Sequence, residues 1–509
     1  MIEVTAAAPQ IAALVEAAAR RHPETPALIV TANRVPVTYR DLITLVDELA
    51  GQLARRGLQP GDRVALRAPN SAAFVLGFLA ASRAGLVAVP LDPALPLAEQ
   101  NARIAAAGAR VALIDQSGET GETAFPCWPV SVPVSRGGLR IDLDAAAPPY
   151  PVSAAPDGLR SDDAVIMFTG GTTGSPKMVP WTCDNIASAV RGVIDTYRLG
   201  PQDATVAVMP LFHGHGLVAA LLSTLASGGT VLLPAGGRFS AHTFWDDIRA
   251  AHATWFTAVP TIHQILLKRA AAEHSGGLRF IRSCSAALST QTAQALRTEF
   301  GAPVMSAYGM TEATHQVAST TDDQIPAAGF VGCSTGAQIR IVGDDGRPCP
   351  PDAVGEIWLR GRTVARGYLG DPDATARTFT DGWLHTGDLG SLSAGGELTL
   401  RGRIKELINR AGEKVSPERV EVVLTSHPNV VEAAVFGVPD PIYGETVAAV
   451  VVAGASDHPD TTELASFCRE RLAAFEVPAT IQVTDELPHT AKGSVDRRAA
   501  AEKFGASRA

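Results

Sequence analysis

The chain has 509 residues, 46% apolar and 19% charged, which is enough for two or more globular domains. A net charge of −9 argues against nucleic acid as a partner. The six cysteines are scattered with no Cys-x-x-Cys pair, which excludes a disulfide framework and a cysteine zinc site and is expected of reduced thiols in the cytoplasm.

Near the start, Glu3 precedes the first apolar stretch and Arg20, Arg21 and His22 close that stretch with charge, a pattern unlike a signal peptide. Residues 10 to 91 alternate helical and strand patterns. Ile11-Ala12-Ala13-Leu14-Val15 has helical spacing, Ala27-Leu28-Ile29-Val30 reads as a strand, and a helix opens at Thr38 and runs to about Arg56. Next come a strand at Val64-Ala65-Leu66, an apolar helix over 72–84 and a strand over 86–91. Strands separated by helices predict parallel sheets. Residues 116 to 160 are rich in Gly, Pro, Ser and Asp and read as surface loops and short strands.

The buried-strand pattern Ala164-Val165-Ile166-Met167-Phe168 then leads into Thr169-Gly170-Gly171-Thr172-Thr173-Gly174-Ser175-Pro176-Lys177. Glycines free many backbone N–H groups to point one way, hydroxyls stand beside them, and a lysine closes the loop. That composition suits a phosphate cradle, although no Gly-Lys-Ser/Thr comes after the glycines as in the usual P-loop. Ala204 to Gly237 carries no charged side chain and is long enough to span a membrane. Pro210, His213, His215, Gly228 and Gly229 cut it into pieces, so it reads as a buried strand, helix and strand. His213 and His215, framed by glycines, either line a ligand pocket or make local hydrogen bonds; no Cys or carboxylate stands near to complete a metal site. The strand pattern at 253–261 ends in a pocket-like turn, with His263 on the helix after it, and that at 279–287 ends in small residues where a flat ligand could approach the backbone. At Ala307-Tyr308-Gly309-Met310-Thr311-Glu312 an aromatic ring, a hydroxyl and a carboxylate converge, offering stacking, a phosphate contact and a Mg²⁺ contact; Glu312 reads equally as a helix N-terminal carboxylate. Short strands with Gly-rich turns over 339–400 predict a small β-unit. After Arg401-Gly402-Arg403-Ile404-Lys405-Glu406 the chain alternates again, with helices over 417–426 and 461–474 and strands over 433–437, 447–453 and 479–484.

With these motifs in order, nearly the whole chain resembles the superfamily of acyl-CoA synthetases, adenylation domains and firefly luciferases. The signatures are the Thr169–Lys177 loop, Tyr308-Gly309-Met310-Thr311-Glu312, Gly367-Tyr368, Thr386-Gly387-Asp388 and Gly402-Arg403-Ile404-Lys405-Glu406. The segments 210–216, 237–245, 253–267, 279–288 and 308–315 look most like the oxalate–CoA ligase and fatty-acyl-CoA ligase branch.

The resemblance implies an α/β fold. A large N-terminal domain, 1–404, would hold two α/β sheet subdomains and a small β-barrel, and a small mobile α+β domain, 405–509, would hinge near Lys405. It implies two half-reactions. A carboxylic acid and ATP with Mg²⁺ give an acyl-adenylate, and after the C-terminal domain rotates, CoA gives the thioester and AMP. Thr169, Gly170, Gly171, Thr172, Thr173 and Lys177 would hold the phosphates. Ser285, Ala286, Ala287, Tyr308, Gly309 and Met310 would surround the nucleotide, with Asp388 and Arg403 on the ribose. Thr311 would contact the α-phosphate and Glu312 the metal. His213, Val259, His263 and His315 would line the acyl pocket, and Arg410, Gly412 and Lys414 the CoA side. A homodimer is an assembly that family members often adopt.

One departure bears on chemistry. The family ends on a motif like Pro-x-Thr-x-x-Gly-Lys, whose lysine drives adenylation. Here Pro488, Thr490, Gly493 and Arg497 keep the register, but Ser494 holds the lysine position and Lys492 stands where a small residue is usual. Lysine bridges two anions, the carboxylate and the α-phosphate; serine is short and neutral. Loss of even a neutral preorganised donor costs about 10²–10³ in rate. Thioester formation needs no such bridge, since the mixed anhydride is already activated. The expected enzyme accepts an acyl-adenylate, made by a separate adenylating ligase, and transfers the acyl group to CoA. Two alternatives stand beside it: a complete ATP-dependent ligase in which Lys492 substitutes, reaching across ~6–7 Å of extended chain, and a non-catalytic homologue that binds nucleotide or acyl-CoA. Retention of Thr311, Glu312, Asp388, Arg403 and Gly412 speaks against the last. A smaller departure is Met178, where a glycine is common after the loop lysine.

Overall fold

The computed structural model describes residues 11–30, 33–115, 124–135, 138–145, 147–151, 154–169, 176–269, 277–325, 327–454, 460–490 and 495–505. Among the described residues three large sheets, beside the two-stranded ribbon Val134–Ser135 with Gly138–Leu139, build the part before residue 404. The seven-stranded sheet runs in the order Met178–Thr182, Asp163–Phe168, Val87–Pro90, Arg63–Arg67, Ala109–Asp115, Cys127–Ser131, Asp142–Leu143. Its five central strands are parallel, and the helices Ala72–Arg83 and Leu97–Ala107 make the crossovers. Being covered on both faces, these strands read as continuous apolar runs, and Arg63–Arg67 and Asp163–Phe168 are buried throughout.

The second sheet begins with the parallel strands Trp255–Ala258, Phe280–Ser283 and Val304–Met310. It continues without interruption through His315–Ser319, Phe330–Ser334, Glu397–Arg403, Trp383–Leu392, Gly355–Arg360 and Gln338–Val342, all antiparallel. The β-rich unit expected over 339–400 is thus hydrogen-bonded onto the second α/β sheet. The third sheet joins distant pieces: Pro26–Val30 pairs in parallel with Thr230–Leu232, which is flanked by Ala204–Val206. The uncharged stretch forms the expected buried strand, helix and strand, and its helix opens as the π-helix His215–Leu222. Gly216 allows that opening, because a Cβ there would lie 2.3 Å from the Pro210 carbonyl oxygen. Among the described residues no helix is long and apolar enough to cross a membrane.

Local signals set the boundaries. Thr38 caps the helix Tyr39–Arg55 by accepting from Asp41 N–H at 3.1 Å, and Thr182 and Asn185 form a reciprocal capping box on Cys183–Tyr197. Beyond residue 404, Val430–Asp440 pairs antiparallel with Gly444–Ala453, which takes Thr480–Thr484 in parallel and Ile408–Arg410 on its other side. One face packs under Pro417–Thr425 and Thr461–Arg469, the other under Arg497–Phe504. The helix expected over 461–474 stops at Arg469, because the Glu476 carboxylate accepts from Ala473 N–H at 2.9 Å and turns the chain. The strand expected over 433–437 extends to Val430–Asp440; Gly437 and Pro439 interrupt its sequence pattern but not its pairing.

Candidate active site

The carboxyl ends of Asp163–Phe168, Phe280–Ser283 and Val304–Met310 open on one cavity of about 900 Å³, which extends to the C-terminal unit. Crevices at the carboxyl ends of parallel strands are where open α/β sheets bind ligands. Thr169, His213, Ser285, Ala286, Ala287, Tyr308, Gly309, Asp388 and Arg403 all line it. The loop candidates Gly170, Gly171, Thr172 and Thr173, and Lys492 and Ser494, lie outside the described residues. Both flanks of the latter segment, Thr490 and Val495, line the cavity.

Three sequence-distant motifs meet at one edge. Thr169 N–H donates to the Lys177 carbonyl at 3.0 Å, and Lys177 N–H donates to Thr169 Oγ1 at 3.1 Å, which pins the two ends of the Gly-rich loop together. The Lys177 ammonium lies 4.4 Å from the centre of the Tyr368 ring, and the Tyr368 hydroxyl donates to Glu312 Oε1 at 2.9 Å. Burial and the Glu312 carboxylate hold the Tyr368 phenol well above its ordinary pKa, so it stays a donor. Thr311 and Glu312 sit on the single turn Thr311–Ala313, whose first carbonyl accepts from Trp181 Nε1–H at 2.8 Å. Met310 ends the strand beside them. Gly309 is required there: a Cβ would stand 1.4 Å from the His315 carbonyl oxygen across the strand pair.

On the cavity wall the Tyr308 hydroxyl donates to Asp388 Oδ2 at 2.5 Å, and Arg403 Nε–H pairs with Asp388 Oδ1 at 3.0 Å. Burial raises the Asp388 pKa against the pull of Arg403 and Tyr308, while Asp388 raises that of Arg403. A backbone lock orients the carboxylate. Gly387 N–H donates to Glu356 Oε1 at 2.9 Å and Thr386 Oγ1–H to the Ile357 carbonyl at 2.7 Å.

Three of the four acyl-pocket candidates are not at the cavity surface. His213 lines it. On the helix Pro260–Lys268, Pro260, Thr261 and Gln264 face the cavity. His263 points away from it, fully buried beside Phe256, and burial lowers its pKa to about 4. Val259, also fully buried, precedes the helix within the wall. His315, with a left-handed φ of 79°, stacks on His215 behind the wall at 5.2 Å. His215, expected either to line a pocket or to make local hydrogen bonds, does the latter: with Thr257 and Arg282, which sequence reasoning did not single out, it forms a buried hydrogen-bonded set with His315. The clue was Arg282, a charged residue inside an otherwise uncharged strand.

The CoA candidates lie together but outside the cavity. Arg410 donates to the Phe475 carbonyl at 2.9 Å, Gly412 turns the hairpin with φ 94°, and Lys414 is exposed on the strand Glu413–Val415. Lys405 sits in the short turn Ile404–Glu406 between the two parts of the chain.

Next to the segment 491–494 the backbone is tied down. Asp496 N–H donates to the Pro488 carbonyl at 2.8 Å and His489 pairs with Glu432 at 3.2 Å. The Glu432 hydrogen bond raises the His489 pKa above its ordinary 6.5. Its folded pKa exceeds the unfolded one, so the pair stabilises fully below about pH 6.5 and is lost as pH rises through the raised value. A half-exposed pair of this kind contributes about 0.5 kcal/mol. An NMR titration is expected to place the His489 midpoint above 6.5 in the wild type and to lower it in Glu432→Gln; an unchanged midpoint would remove the pair from the account.

Comparison with known proteins agrees with this geometry. Residues 15–369 match the AMP-binding enzyme family and 419–494 the AMP-binding enzyme C-terminal domain. The chain is 40% identical to an oxalate–CoA ligase of Arabidopsis thaliana over 97% of this chain and 98% of that one. It is 36% identical to a sulfoacetate–CoA ligase of Cupriavidus necator over 96% of each. ATP-bound MatB from Rhodopseudomonas palustris, 30% identical, superposes with a TM-score of 0.84 over 97% of this chain and 99% of that one. Thr169, Tyr308, Asp388 and Arg403 line a cavity large enough for a nucleotide, and Glu312, held by Tyr368, offers a carboxylate for Mg²⁺, so the residues present fit ATP with Mg²⁺, and the relatives' acceptor is CoA. The chain therefore belongs to the AMP-binding enzyme family, as an acyl-CoA ligase of the adenylate-forming superfamily.

Proposed function

We propose that this ligase retains the thioester-forming half-reaction and has lost, or nearly lost, ATP-dependent adenylation. The observation that carries the reading is Ser494 in the register of the family lysine, on a segment whose flanks Thr490 and Val495 line the cavity. In the step retained, the CoA sulfur attacks the acyl carbonyl of an acyl-adenylate. A C–S bond forms, the C–O bond to phosphate breaks, AMP departs with the electron pair, and the thiol proton passes to solvent. A second enzyme then supplies the adenylate.

In this reading Asp388 and Arg403 hold the ribose hydroxyls, Tyr308 and residues 285–287 surround the base, and Thr311 meets the α-phosphate. Glu312, steadied by Tyr368 and Lys177, holds Mg²⁺. The two units, 1–404 and 405–509, turn about Lys405. Arg410, Gly412 and Lys414 lie outside the cavity in the present arrangement and would reach it only after such a turn, bringing CoA with them. The acyl group is a small acid with a second anionic end. The relatives named for oxalate and sulfoacetate support this.

The half-reactions are assayed apart. Carboxylate-dependent ATP–pyrophosphate exchange is expected to run at least about 10²-fold below a lysine-bearing relative. Acyl-adenylates of small diacids plus CoA are expected to give acyl-CoA by mass spectrometry. Robust exchange that disappears in Lys492→Ala would show instead a complete ligase working through the displaced lysine.

A further inference from the structure

Behind the cavity wall, Arg282 is fully buried on the strand Phe280–Ser283. Its guanidinium makes five contacts: Nε–H meets Tyr197 Oη at 2.9 Å and Gln316 Oε1 at 3.2 Å, Nη1–H meets Thr257 Oγ1 at 2.9 Å, and the Nη2–H groups meet Gln316 Oε1 at 2.7 Å and His315 Nε2 at 3.0 Å. A guanidinium only donates. His315 Nε2 must therefore accept, which makes His315 neutral with its proton on Nδ1. Thr257 Oγ1 also accepts from Arg282, so the Thr257 hydroxyl proton needs an acceptor of its own. The other polar atom beside it among the described residues is His215 Nε2, at 2.6 Å. Thr257 is buried, and an unmade hydrogen bond there would carry the full cost of desolvation. His215 Nε2 accordingly accepts, and its proton sits on Nδ1, which donates to Ser285 Oγ at 3.1 Å. Ser285 Oγ is then an acceptor toward the wall, and its hydroxyl proton faces the cavity that Ser285 lines. Ser285 also holds a left-handed φ of 72°, uncommon for a serine and a sign that the surrounding structure fixes its place.

We infer that Arg282 and Thr257 are positioning residues: through His215 they fix the direction of a hydrogen-bond relay that ends with the Ser285 hydroxyl as a donor to the ligand in the cavity. The ordering runs one way, from a permanent cation to a neutral donor at the surface, and each link is set by which partner can only give or only take a proton. Burial and the nearby Arg282 lower the His215 pKa well below its usual value, so the ring stays neutral and the relay is not reset by protonation across the physiological range. The inference rests on the proposed reading only in taking an acyl-adenylate as the ligand.

Two measurements test it separately. In the full-length protein with ¹⁵N-labelled histidine, NMR is expected to show His215 protonated on Nδ1 and bare on Nε2. Thr257→Val is expected to abolish that preference, and Thr257→Ser, which keeps the hydroxyl, to restore it. A proton on Nε2 in the wild type would overturn the relay whatever the enzyme's reaction. Calorimetry with 5′-O-(N-acetylsulfamoyl)adenosine, a stable acyl-adenylate mimic, reads the donor. Thr257→Val and Ser285→Ala are each expected to weaken binding about tenfold, the worth of roughly one hydrogen bond. The double variant should weaken it no further. Independent, multiplicative losses would show that the two residues are not on one relay. Were Thr257→Val not to fold, the wild-type spectrum alone would still decide.

Discussion

Ser494→Lys is expected to raise carboxylate-dependent ATP–pyrophosphate exchange by about 10²–10³-fold and to leave thioester formation from a supplied adenylate within about twofold. The asymmetry comes from charge. Adenylation brings a carboxylate against the α-phosphate, and a cation between them is most valuable when negative charge is shared in the transition state. Other parts are in place among the described residues: Thr169 and Lys177 tie the ends of the loop, Glu312 is oriented by Tyr368, and the buried Asp388 pairs with Arg403. The segment's flanks Thr490 and Val495 already line the cavity, and position 494 adjoins Val495 in the chain. Exchange that stays flat in Ser494→Lys would mean that adenylation fails for some other reason, with Met178 beside the loop the first place to look. Because Lys492→Ala tests the displaced lysine and Ser494→Lys the missing one, the pair of variants separates the two readings.

The second large effect concerns stability. Arg497 Nε–H and Nη2–H make a fork with Glu421 at 2.6 and 2.7 Å, while Nη1–H reaches Glu418 at 3.0 Å and pairs also with Glu406. Its side chain is 26% exposed. Burial alone would lower its pKa, but the three carboxylates outweigh that and raise it. Glu418 and Glu421 stand on one face of Pro417–Thr425, and Glu406 comes from the turn after Lys405, so one guanidinium joins that turn, the helix and the start of Arg497–Phe504. Arg497→Met leaves three carboxylates facing each other. Breaking a buried pair costs about 3–5 kcal/mol; with partial exposure we expect about 2 kcal/mol at pH 7.5. The Glu406 pKa is already raised, by burial first, and rises further without the cation. A carboxyl raised in the folded state destabilises above that value and ceases to as it protonates, so the defect should shrink toward pH 5. All six tryptophans precede residue 404, so their fluorescence reports only the larger unit. Hydrogen exchange on peptides from 430–453 and 497–504 is the suitable readout, and unchanged protection at pH 7.5 would remove the clamp from the account.

Legibility in the sequence tracked the range of the forces. Capped amphipathic helices such as Tyr39–Arg55 and buried strands such as Asp163–Phe168 were readable because cap, period and turn residues are local. The motif residues that meet at the cavity, among them Tyr308, Asp388 and Arg403, were found by resemblance and lie together. His263 and His315 lie off the cavity lining, and a histidine in such a segment carries no local sign of which side of the wall it will face. The Arg282–Thr257–His215 set could not be read at all. Its members come from three elements that only the sheet brings side by side. The clamp on Arg497 was missed for the same reason, with partners up to 91 positions away.

The pairing of Pro26–Val30 with Thr230–Leu232 has a consequence for how this protein is made. The strand carrying Leu28 and Ile29 leaves the ribosome early, yet its neighbour in the sheet is synthesised some two hundred residues later. At ordinary elongation rates that is roughly ten to forty seconds. During that interval the strand has Val35–Thr38 on one edge and nothing native for the other, so an apolar ribbon waits with an open row of amides. The third sheet cannot close before residue 232 has been synthesised, so its completion is timed by translation.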